Sequence, residues 1–162
     1  MTRLLPILLA ATLVVAACGT DSDDLPALSE MTETYGCGHG FWIGNPSETA
    51  ALRFAYLGDD GDATDARLPD PRWQVELLVG TDLYANWCDD VIEPGEPEPD
   101  ISATSRVVEG SLEIIGDSPT EPFTPATLTL EARGLAVEMD DAEIVPLGDV
   151  TIVNTSYGVF AG

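Results

Sequence analysis

The sequence predicts an all-β fold, an antiparallel β-sandwich, with a small barrel as second choice. Apolar residues alternate with polar ones at period two, turn signals separate these runs, and no stretch holds a 3.6-residue pattern over three turns. Leu52, Phe54 and Tyr56 alternate with Arg53 and Ala55, and Val75, Leu77 and Val79 alternate with Gln74, Glu76 and Leu78. In the second half Val108, Gly110, Leu112 and Ile114 alternate with Glu109, Ser111 and Glu113. Leu128 and Leu130, then Leu135, Val137 and Met139, then Val150 and Ile152 repeat the period. Each run presents one face to a core and one to water. Gly44-Asn45-Pro46, Pro69-Asp70-Pro71, Asp117-Ser118-Pro119, Asp140-Asp141 and Gly148-Asp149 supply the turns between them. Immunoglobulin-like packing enters by analogy only, because the Cys and Trp spacing of antibody domains is absent.

Two proline-rich stretches fall between runs. Pro94, Pro97 and Pro99 stand among carboxylates, and Pro119, Pro122 and Pro125 recur further on. Both are expected as exposed inter-strand connections, since proline cannot donate to a sheet ladder. Dividing the chain at the first would leave two pieces too small for a comfortable core, so one domain over residues 35–162 is expected.

Charge narrows the function classes. The 162 residues hold 29 acidic and 6 basic residues, all six arginine, for a net charge of -23. A polyanion repels phosphate backbones, so no nucleic-acid partner is expected. Without lysine there is neither Schiff-base nor P-loop chemistry. With one histidine, His39, any site needing two imidazoles is excluded.

The N-terminus carries an address. Arg3 precedes an apolar run from Leu4 to Val15, broken only by Thr12, and Ala16 and Ala17 lead into Cys18. A run this short suits a secretory signal rather than a membrane span, which needs roughly 20 residues. Val15-Ala16-Ala17-Cys18 resembles the lipobox of bacterial lipoproteins. That resemblance implies a diacylglycerol on the Cys18 thiol, cleavage just before it, and acylation by fatty acids such as palmitate. It covers only this segment. The expected organisation is a signal peptide over 1–17 and a lipidated Cys18 with an acidic tether over 18–34. The domain is then held outside the cytoplasm on a bacterial membrane, which is its one implied partner besides an envelope protein. Two acyl chains make such an anchor stable, at about 0.8 kcal/mol per buried methylene.

With Cys18 lipidated, Cys37 and Cys88 remain as a pair in an oxidising compartment, where a disulfide is expected. Closing a loop of about 50 residues contributes roughly 4 kcal/mol by chain entropy.

Chemistry-bearing constellations are few. Tyr35-Gly36-Cys37-Gly38-His39-Gly40-Phe41-Trp42 groups the only imidazole with three glycines and aromatics, but no nucleophile or orienting group stands at the spacing a His-based catalyst needs. No catalytic residue is assigned. Asp59, Asp60, Asp62 and Asp65 gather hard oxygen ligands suited to Ca²⁺, yet Asp65 stands where an EF-hand requires glycine and Pro71 where it requires glutamate. They are the one metal candidate; no other cofactor is expected. Trp42, Trp73 and Trp87, with Tyr84, are candidates for a ligand-binding face, against the alternative of core packing.

The preferred reading is a membrane-anchored, non-catalytic interaction or structural module of the envelope. A carbohydrate- or Ca²⁺-binding module is the alternative, and a hydrolase with paired carboxylates comes third.

Overall fold

The computed structural model describes residues 25–58, 63–85, 87–88, 94–117 and 124–158. It is all-β. Eight strands follow one another: β1 (Glu33–Tyr35), β2 (Gly40–Gly44), β3 (Ala50–Tyr56), β4 (Ala66–Leu68), β5 (Trp73–Thr81), β6 (Asp100–Ile115), β7 (Ala126–Glu138) and β8 (Ile144–Tyr157). All pairings between them are antiparallel, in the order β1-β2-β3-β5-β6-β7-β8, with β4 added beside β6. The strands thus form one sheet, which curls until it is nearly closed and barrel-like.

Strand length explains the closure. β1 has three residues and covers only Trp42 to Gly44 of β2, leaving the edge at Gly38 to Gly40 open. The end of β8 takes that edge: Gly38 and Tyr157 form a parallel bridge, and the Gly158 N–H donates to the Gly38 carbonyl at 2.8 Å. Asn154, 1% exposed, donates from Nδ2 to the Gly40 carbonyl at 2.8 Å, and its Oδ1 accepts from the Ser156 N–H at 2.8 Å.

Inside the curl lie Phe41, Leu52, Phe54, Trp73, Leu77, Val107, Leu112, Leu128, Leu130, Val137, Ile152 and Tyr157. The sequence alternation is obeyed closely in β3, whose inward Leu52, Phe54 and Tyr56 flank half-buried Arg53 and Ala55. In β6 the register shifts between Val107 and Glu109 and again between Glu109 and Ser111. Such bulges insert residues and change which side chains face in. Val107 is therefore the buried residue, and Val108, expected inward, is only half buried. Likewise the two runs read at Leu128–Leu130 and Leu135–Met139 largely fall on one strand, β7, with irregular register between Ala132 and Leu135, where Gly134 has a φ of 62°.

The ordered chain starts earlier than residue 35. Met31 is buried, and Leu25 and Leu28 pack against the core from a 3-10 turn at Leu28–Glu30. Among the described residues, no helix is long and apolar enough to cross a membrane.

Candidate functional site

The outer face of β2, β3 and β5 is not left to water. Leu78 and Ala51, directly paired across β5 and β3, point away from the main core, and Leu83 packs on them at 0% exposure. Leu83 belongs to the segment after β5, which folds back over the sheet. Main-chain bonds tie it down: Gly80 donates to the Thr49 carbonyl at 3.0 Å and Leu83 to the Glu48 carbonyl at 3.1 Å. Its far end is fixed by the disulfide between Cys37 and Cys88, with Cα atoms 5.7 Å apart.

This flap brings aromatics together. Trp87 stacks on Trp42 with ring centroids 5.3 Å apart and planes 20° from parallel. Tyr84 lies 5.5 Å from Trp87 and 5.0 Å from Tyr35. Although Trp42 points outward between the inward Phe41 and Ile43, the flap leaves it only 6% exposed. The Tyr84 hydroxyl donates to the Asn45 carbonyl at 2.6 Å, and burial, ahead of the charges of Tyr35, Glu48 and Glu33, pushes its pKa well up.

Trp42 also begins a row of outward residues. In register across the sheet stand Tyr35, Trp42, Arg53, Glu76, Arg106 and Glu138. Opposite charges directly across neighbouring strands attract. Arg53 Nη2 meets Glu76 Oε2 at 2.5 Å, and Gln74 Nε2 donates to the other Glu76 oxygen at 2.6 Å.

Where the Trp42–Trp87 stack meets Arg53 there is a cleft of about 280 Å³. Gly40 and Ala55, partners in the β2–β3 register, are among its lining, with His39 and the Cys37 half of the disulfide beside them. The small pair leaves room that larger side chains would fill. Two nitrogens of lining residues, Trp42 Nε1 and Arg53 Nε, are buried and have no hydrogen-bond partner. A buried N–H without an acceptor is costly and rare in native proteins.

The sequence candidates separate accordingly. Trp42, Trp87 and Tyr84 come together, while Trp73 faces inward at 3% exposure. There its Nε1 donates to the Thr64 carbonyl at 3.1 Å and its ring meets Tyr56 edge-on. Trp73 is on the opposite side of the sheet because it shares the parity of Val75 and Leu77. Of the Ca²⁺ candidates, Asp59, Asp60 and Asp62 lie outside the described residues; Asp65 accepts from the Ile114 N–H at 2.8 Å and so anchors a loop to β6. Cys18 also lies outside them. The lowered pKa of Asp70 comes from its bonds with Arg72, a local pairing at a turn. Asn154, which opens a formal glycosylation triplet, has its Nδ2 buried and engaged.

Tyr35 and Gly40 stand in the glycine-rich segment around His39 that the sequence singles out, whereas Arg53 and Ala55 are visible there only as the alternate positions of β3. The position of Arg53 on the polar parity of β3 was legible; its meeting with Trp42 depends on strand pairing, which alternation does not encode. No protein-family model matches this chain, and neither a curated protein nor a solved structure is significantly similar to it.

Proposed function

We propose that this chain is a bacterial envelope lipoprotein, anchored by lipid on Cys18, whose β-domain is a non-catalytic binding module working outside the cytoplasm. The anchor rests on the lipobox-like Val15-Ala16-Ala17-Cys18. The observation that carries the binding role is the cleft at the Trp42–Trp87 stack, lined by Trp87, Trp42 and Arg53, the last two of which carry buried N–H donors without a partner. Trp, Tyr and Arg are the residue types that dominate recognition surfaces. The disulfide supports this role by holding Trp87 in place, which lowers the ordering cost of binding.

The anchor is tested by growing cells with radiolabelled palmitate and partitioning the protein into detergent. The wild type takes up label and enters the detergent phase, and Cys18→Ser does neither. Equal behaviour of the two removes the lipoprotein reading.

A further inference from the structure

We propose that the cleft beside the Trp42–Trp87 stack takes one neutral sugar ring, a terminal or branching unit of an extracytoplasmic glycan. The inference rests on the binding-module reading above and names its ligand class.

Size, charge and donor pattern each select this class. At about 280 Å³ the cleft falls just below the range of about 300–1,000 Å³ typical of drug-sized ligands, which suits one ring. Two of the residues that line it carry buried donors, Trp42 Nε1 and Arg53 Nε, each with one hydrogen and no acceptor. A partner rich in oxygen acceptors satisfies both. The half-buried Trp87 indole lines the cleft, and an indole face complements the C–H face of a pyranose, whose ring hydroxyls lie around its edge. Both nitrogens are covered, so the sugar ring has to shift a lining side chain to reach them.

Charge sets the choice between neutral and acidic sugars. Glu76 already neutralises the Arg53 guanidinium at 2.5 Å. A chain with net charge -23 repels anions at long range. A carboxylated ring therefore gains little at Arg53 and loses on approach, whereas a neutral ring keeps both hydrogen bonds.

The test titrates the full lipidated chain in detergent with methyl β-glucopyranoside and methyl N-acetyl-β-glucosaminide. Methyl β-glucuronide serves as the acidic comparator, and saturation-transfer NMR and tryptophan fluorescence are the readouts. A neutral glycoside is expected to bind with a dissociation constant on the order of millimolar and about tenfold more tightly than the glucuronide. Arg53→Lys keeps the charge facing Glu76 but removes the Nε donor, and it is expected to weaken binding about tenfold with unfolding unchanged. Trp87→Phe tests the stack without touching the disulfide, and it weakens binding too. Failure of every neutral glycoside to bind at about 50 mM, tighter binding of the glucuronide, or indifference to both variants overturns the inference. Capture of a protein at His39, in the cleft lining, without sugar binding would overturn the sugar and leave the binding-module reading standing.

Discussion

Asn154 on β8 and Gly40 on β2, 114 residues apart, are joined by a side-chain amide to main-chain carbonyl bond of 2.8 Å at the seam where the sheet curls onto itself. The seam holds the start of β2 against the end of β8. It also explains Gly36, where a Cβ would collide with the Asn154 side chain. Replacing Asn154 by Ala leaves the Gly40 carbonyl and the Ser156 N–H without their partner. At about 1–3 kcal/mol for the buried Gly40 carbonyl and about 1 kcal/mol for the part-buried Ser156 N–H, Asn154→Ala is expected to lower stability by roughly 2–4 kcal/mol. Urea unfolding checks this: the midpoint falls with little change in slope.

The Cys37–Cys88 bridge fixes the flap bearing Trp87 and closes 51 residues of sequence separation. Changing both cysteines to Ser is expected to cost about 4 kcal/mol by loop-closure entropy. The near-ultraviolet circular dichroism signal of the Trp42–Trp87 stack should fall, while the far-ultraviolet β signal persists below the new midpoint. Retention of the stacked signal in the double variant would mean that Leu83 and the main-chain bonds alone hold the flap.

Tyr84 gives the domain an alkaline limit. Its pKa is raised in the fold, chiefly by burial, above the value of about 10 that an unfolded chain shows. Above about pH 10 the unfolded state therefore releases a proton that the folded state keeps, and stability falls as pH rises. Urea midpoints between about pH 9 and 11 should drop in the wild type, and more weakly in Tyr84→Phe.

Gly44 is the other support of Tyr84. A Cβ there would run into the Tyr84 hydroxyl and ring. Gly44→Ala is expected to push the ring off the Asn45 carbonyl and cost about 1–3 kcal/mol, in the range of overpacked sites. Ultraviolet titration should then show Tyr84 ionising at lower pH than in the wild type.

Much of this architecture was legible in the sequence, and the limits are physical. Alternation at Leu52, Phe54 and Tyr56 identifies the inward face of β3, because a half-buried strand has to sort its side chains by parity. Parity fails at Val107 and Val108, where bulges reset it, and at Leu78, an outward leucine whose cover is a segment folded back by the flap. Cys37 and Cys88 were legible as a pair from compartment and count. What the pair positions was not, since the Trp42–Trp87 stack and the Arg53 cleft arise from register between strands. Trp73 was grouped with the other tryptophans by residue type, and its parity with Val75 places it inside instead.

The central claim is that the anchored domain binds through the Trp42–Trp87 cleft. Its most direct test puts a photoreactive amino acid at His39, which lines the cleft, in the intact lipidated chain in its own cells, with Glu113, an exposed β6 position outside the cleft lining, as the control. The account predicts a discrete adduct, glycan or protein, from position 39 and none from 113. Adducts from both positions alike, or from neither, would contradict it.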